Sequence, residues 1–214
     1  MPYYRVLSSL MRDRDPFGVS KRLSHATVAA GRPLPRSTGQ GDTLGIVAVS
    51  TRDLSPDFLA RTSNLTVAHL DAFPEAQGDA EWRCLAEGVY FEARGEPLKG
   101  QIAVAEVILN RVDSSRYPDT ICGVTNQGVV AGRRDCQFSY ACDGRAETMT
   151  EETARSRAKK LARIMIDGWP RRITSGATHF HATYVRPHWA RHYQRTTSIG
   201  AHIFYRPQTR TVLR

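Results

Sequence analysis

Glu92, within the run YFEARGEP from Tyr90 to Pro97, is the residue of this chain whose type and position best suit chemistry. It falls at the end of a predicted amphipathic helix, just before a Gly-Glu-Pro turn, where a carboxylic acid can serve as a proton donor. Upstream, Trp82, Leu85, Ala86, Val89 and Ala93 recur at i, i+3, i+4, i+7 and i+11 and predict one apolar stripe. Glu87 falls on the opposite, wet face. Glu92 lies one heptad after Leu85, on the border of the stripe, and partial desolvation there disfavours the anion and raises the pKa. Gly88, one turn earlier on the same flank, is expected to leave room for a ligand to approach the carboxyl. Gly95 suits a C′ position and Pro97 the first turn of a following helix. Position alone does not settle the role, because a glutamate near a helix end is commonly solvated surface.

Two further helices must position this acid. From Pro97 to Val112 the chain is apolar nearly all round, through Ile102, Val104, Ala105, Val107, Ile108, Leu109 and Val112, and predicts a core helix. At its end, Asn110 and Arg111 read as a buried polar pair holding the terminus, with a substrate contact as the alternative. Another helix is predicted from Thr148, with Thr148 and Glu151 as a capping box, through Leu161 and Met165 to Gly168. Its Arg155, Arg157, Lys159 and Lys160 read as a solvated face. Between these helices, residues 117–146 form a long loop and hence a candidate binding surface.

Several segments together resemble one family. They are YFEARGEPLKGQIAVAEVILNRV from Tyr90, RYPDTICGV from Arg116, CQFSYACDG from Cys136, THFHATYVRPHW from Thr178 and IGAHIFY from Ile199. In order and spacing they are similar to the SleB-type cell wall hydrolases, over roughly residues 82–207. The resemblance implies an α+β, lysozyme- and lytic-transglycosylase-like fold, mainly helical, with short strands and long loops. It implies a cofactor-free enzyme that cuts peptidoglycan glycan strands between N-acetylmuramic acid and N-acetylglucosamine, with Glu92 as the catalytic acid. Residues 78–210 are then the catalytic domain and residues 1–77 a leader or linker, disordered in part.

The chemistry implied by the resemblance can be set against the residues. A glycosidase that uses water needs a second carboxylate. Glu96 is the candidate four residues on, although Gly95 and Pro97 favour a turn in which it pins a loop, and Asp135 and Asp143 are weaker candidates. A lytic transglycosylase needs none, because the C6 hydroxyl of the muramic acid attacks intramolecularly. In the loop, Gln137, Phe138 and Tyr140 offer an amide for N-acetyl groups and rings for sugar faces. Further on, His181, Tyr184, Arg186 and Trp189 are candidates to flank the groove and to meet a lactyl or peptide carboxylate. Cys84, Cys122, Cys136 and Cys142 allow three disulfide pairings. They lack the close C-x-x-C pairs typical of zinc.

A competing class is a metal-dependent amidase cutting the lactyl-amide bond, with His179, His181 and His202 as ligands. The region lacks any Asp or Glu to support them, so no metal is expected. A third is a peptidoglycan-binding or virion component without activity, against which the acid in its helix-turn setting argues.

The chain has 214 residues and a formal charge of +9, with only four lysines among thirty cationic residues. That charge suits an anionic surface, but no zinc-finger, RNP or basic helix-turn-helix pattern accompanies it, so nucleic acid is not the expected partner. The longest apolar run of the leader, Gly45 to Ser50, is far short of a signal-peptide core or the ~20 residues of a membrane helix. The cell envelope or periplasm is therefore expected from the resemblance, not from the leader, and no membrane span is expected. Residues 32–41 read as linker, and residues 54–72 as a short helix or strand laid against the domain.

Overall fold

A computed structural model describes residues 65–129 and 136–208. The leader through residue 64, with its linker and apolar run, and Asp135 lie outside the described residues. Helix α1 (Val67–Ala72) is capped by Thr66, whose hydroxyl accepts from the His69 backbone. It buries Leu70 completely and is tied to a later helix by the Asp71 carboxylate, which accepts two 2.7 Å bonds from Arg157. Arg157 in turn holds the Asp71 carboxyl below its usual range. Packed structure therefore begins upstream of residue 78.

Helix α2 (Ala80–Ala93) begins at Asp79, whose carboxylate accepts from the Trp82 N–H. The expected stripe of Trp82, Leu85, Ala86, Val89 and Ala93 is buried, each large side chain contributing about 1.5–3 kcal/mol. Gly88 is buried with it. A Cβ there would meet Ile108 Cδ1 at 2.8 Å, so this glycine admits the neighbouring helix rather than a ligand. Glu87, expected on a wet face, is half-buried, and desolvation followed by the charge of Glu147 raises its pKa. Arg94 closes α2 in right-handed geometry and Gly95 takes no left-handed turn, unlike the C′ expectation.

Helix α3 (Leu98–Val112) follows Pro97 at its N-cap and is buried nearly all round. Short α4 (Ile121–Thr125) lies inside the predicted long loop, its first N–H groups received by Glu81 of α2 at 2.5 and 3.2 Å. The Cys84–Cys122 disulfide reinforces that junction. Helix α5 (Glu152–Ile166) starts three residues later than the Thr148 capping box foresaw and has no side-chain cap. The reason is tertiary: the Glu151 N–H donates to the Tyr90 hydroxyl at 3.0 Å, and the Glu151 carboxylate pairs with Arg94 at 2.8 Å. Helix α2 lies against α3, α4 and α5.

After the helices comes an antiparallel sheet of order β1-β3-β2, with β1 (His179–Ala182), β2 (Gln194–Ile199) and β3 (His202–Arg206). Phe180 and Phe204 face each other across β1 and β3 and join the helical core. Three polar residues of α3 hold the segment that leads into β1. Glu106, fully buried, accepts from the Ile173 N–H, the Thr174 N–H and the Thr174 hydroxyl at 2.7–3.0 Å. Asn110 donates to the Ala177 carbonyl and Arg111 to the Thr178 carbonyl.

Removing Glu106 leaves buried donors unpaired. Glu106→Ala is expected to cost about 3–5 kcal/mol and Glu106→Gln about 1–2, since the amide keeps one acceptor oxygen. Urea denaturation of the two variants checks this order.

Candidate active site

Glu92 occupies the last turn of α2, which is fixed from both sides by the Tyr90 and Arg94 contacts to Glu151. It opens into a cleft of about 280 Å³ walled by Phe91, Tyr140, Asp143, Arg145 and Glu147 among others. Glu92 is half-buried, and partial desolvation pushes its pKa up to about 7, opposed by the nearby positive charge of Arg111. Arg111 is fully buried, its guanidinium 5.4 Å from the Tyr117 ring centroid and 5.1 Å from that of Phe138. A cation held under the acid moderates the shift, leaving a carboxyl that is part protonated near neutrality.

The facing wall is a short 3-10 turn, Ser139–Cys142, pinned by the Cys136–Cys142 disulfide. Tyr140 on this turn stacks on Phe91 with ring centroids 4.9 Å apart. Burial, then the charges of Glu92, Glu87 and Glu147, hold the Tyr140 hydroxyl above its ordinary pKa, against the opposing pull of a hydrogen bond with Thr125. Of the loop residues expected to line a groove, Tyr140 therefore lines the Glu92 cleft. Phe138 does not: it is 1% exposed and serves as the floor under Arg111. Gln137 is half-buried and outside the cleft lining.

Glu96 is not the cleft's second carboxylate. Its Oε2 accepts from the Ala201 N–H at 2.9 Å and its Oε1 stands 4.0 Å from His202 Nδ1, so the side chain pins the β2–β3 turn. Gly200, in that turn, has φ +57, and a methyl group there would overlap the Glu96 carboxylate. The carboxylates that do line the cleft are Asp143, which also accepts from the Arg145 N–H, and Glu147. Glu147 carries no motif and was not legible; Phe91 and Arg94, both inside the quoted run, could have been read from their adjacency to Glu92.

The C-terminal candidates gather elsewhere. His181 is buried, with its Nδ1–H donating to the Ala182 carbonyl and its Nε2 3.1 Å from the Tyr205 hydroxyl. Trp189 packs among His179, His181, Tyr193 and Tyr205. Arg186 and Tyr184 are exposed. None of the four lines the Glu92 cleft. His179, His181 and His202 do not converge as ligands, because strand alternation separates them. His179 and His181 share one face of β1, while His202 opposes Ala182 on the other and packs on Phe180 and Phe204. Burial, then Arg111 and Arg116, pushes His179 down to about 3, and burial likewise lowers His202 against the opposing pull of Glu96. Among the described residues no group of three or more His, Cys, Asp or Glu is arranged to hold a metal, and no helix is long and apolar enough to cross a membrane.

A mainly helical α+β domain with one desolvated glutamic acid at the end of its central helix is the class that fold and site define. The family model described as Cell Wall Hydrolase matches residues 95–205, and the chain belongs to that family. The matched range begins just after Glu92. The chain is 33% identical over 133 residues to a spore cortex-lytic enzyme of Halalkalibacterium halodurans, covering 61% of this chain and 36% of that protein. It is 31% identical over 145 residues to the spore cortex-lytic enzyme of Bacillus subtilis strain 168, covering 68% and 43%. It thus spans less than half the length of these curated relatives. It is also similar to the solved catalytic domain of the germination-specific lytic transglycosylase SleB from Bacillus anthracis, with 33% identity, 62% of this chain and 99% of that one covered, and a TM-score of 0.48.

The raised pKa of Glu92 has a sign for stability. Its folded-state value lies above the unfolded value of 4.5, so ionising it opposes folding increasingly from about pH 4.5 to about 7 and fully above. Glu92→Gln removes this cost. The variant is expected to be more stable than the parent by about 3 kcal/mol at pH 8, with the gain vanishing towards pH 4; thermal melts across that range check it.

Proposed function

We propose that the chain degrades peptidoglycan by cutting its glycan strand between N-acetylmuramic acid and N-acetylglucosamine, with Glu92 as general acid and base. The observation that carries this reading is the Glu92 carboxyl itself, desolvated in a cleft with its pKa raised to about 7. Membership of the cell wall hydrolase family supports the substrate class. A carboxyl protonated in part at neutral pH can donate to the glycosidic oxygen as the bond from C1 breaks.

For the second half of the reaction we favour transglycosylation. The C6 hydroxyl of the muramic acid attacks its own C1, closing the 1,6-anhydro ring, and its proton returns to the Glu92 carboxylate. Intramolecular attack replaces the activation of a water, so a single carboxyl suffices. Withdrawal of Glu96 into the β2–β3 turn supports this choice, by removing the nearest carboxylate in sequence from the cleft. Hydrolysis is the second reading, favoured by Asp143 and Glu147 at the cleft wall, either of which could serve as base. The family points to the cell envelope as the place of action.

Mass spectrometry of soluble fragments released from purified sacculi is the deciding measurement. Anhydromuramic ends are expected; reducing ends would replace transglycosylation by hydrolysis, and free peptides without sugar would sink the glycosidase reading. Glu92→Gln is expected to abolish the clearing of sacculi, a loss of at least about 10²-fold, while still binding them. Activity of the parent is expected to fall as pH rises through about 7, as Glu92 loses the proton it must donate.

A further inference from the structure

The sheet face turned away from the helices carries a second hollow, of about 470 Å³, which shares no lining residue with the Glu92 cleft. Its floor is His181, Ile203 and Tyr205, which alternation and register place on one face of β1 and β3. Its wall is the excursion from Thr183 to Arg191, where Arg186, His188 and Arg191 are exposed. Among the described residues no carboxylate lines the hollow, and the chain has no Asp or Glu after Asp167. Positive charge at its rim is thus left without a neutralising acid from the same segment.

The floor is built rather than incidental. The Ala182 carbonyl fixes the proton of His181 on Nδ1, so Nε2 accepts from the Tyr205 hydroxyl, and the two rings stack at 5.3 Å. Trp189 packs edge-on against both rings. The Tyr205 oxygen keeps lone pairs for a further donor. Val185, Pro187 and Ile203 add apolar surface between the charged groups. Two guanidinium groups and a histidine beside the apolar surface of Val185, Pro187 and Ile203 suit a ligand that combines carboxylates with small aliphatic side chains. A phosphate polymer offers the charge but no partner for that apolar surface.

We propose that this hollow is a subsite for the peptide stems of peptidoglycan, with Arg186 and Arg191 receiving their carboxylates. The identity of the ligand rests on the peptidoglycan reading above; its charge and mixed polarity rest on the hollow alone. Such a site would anchor the enzyme through the peptide while Glu92 works on the sugar, making binding depend on stems that the cleavage chemistry does not touch.

Calorimetric titration of the full chain tests this, using three probes: the stem tetrapeptide released from sacculi by an amidase, the same peptide with its carboxyls amidated, and a glycerol-phosphate oligomer. The free tetrapeptide is expected to bind, and amidation to weaken it about tenfold or more. Arg186→Gln combined with Arg191→Gln is expected to cause a similar loss with an unchanged melting temperature, since both side chains are exposed. Equal affinity for the amidated peptide, which needs no variant to fold, would overturn the proposal. So would an undiminished affinity of the double variant, no binding of the tetrapeptide, or preference for the phosphate oligomer. Glu92→Gln is expected to bind the tetrapeptide as the parent does. Were that variant still to cut glycan, the role given to Glu92 would fall while the titration stood.

Discussion

Glu106, Asn110 and Arg111 stand at i, i+4 and i+5 on an otherwise apolar helix, and the segment entering the sheet is bonded to all three. Burying these groups is tolerable only because each meets a partner, above all the carboxylate of Glu106 with three donors. The cost of leaving any of those donors unpaired makes the arrangement specific: residues 173–178 can lie along α3 in only this register. The sheet, its outer face and the hollow on it inherit their position from that contact. So does the electrostatics of the cleft, since Arg111 is part of the same stripe and its charge acts on Glu92.

The acid's own setting illustrates how a carboxyl is kept both rigid and poorly solvated. Tyr90 and Arg94 straddle Glu92 on α2 and both engage Glu151 at the start of α5, so the last turn cannot fray. The Cys136–Cys142 turn then brings Tyr140 over Phe91, closing the wet side with stacked rings. Desolvation alone would push the pKa of Glu92 further, and the buried guanidinium opposes it. The balance leaves the group near neutrality, where an acid can both give and regain a proton.

Several readings from the chain were corrected by packing rather than by local chemistry. Gly88 looked like space for a ligand, yet the space is taken by Ile108. Phe138 looked like a platform for a sugar ring, yet it lies beneath Arg111. Glu96, read as pinning a loop, does pin one, but the loop is a turn about a hundred residues away. The Thr148 capping box did not form, because the Tyr90 hydroxyl receives the Glu151 N–H and the helix starts later. In each case the decisive partner is distant in sequence, which no local pattern can specify.

What the sequence determined by itself were the features whose cause is local or periodic. The apolar stripe of α2 followed from 3.6-residue periodicity, α3 as a core helix from its nearly continuous apolar content, and the shared face of His179 and His181 from strand alternation. Membership of the cell wall hydrolase family was legible in the order of five motifs. Tertiary structure alone decided which groups share a cavity. It joined Glu92 with Tyr140, Asp143 and Glu147, and gathered His181, Arg186 and Tyr205 into a different hollow. It also selected one pairing of the four cysteines from three. The physical reason is that burial and Coulomb interaction depend on distance in space, whereas periodicity records only the direction in which each side chain leaves its own element.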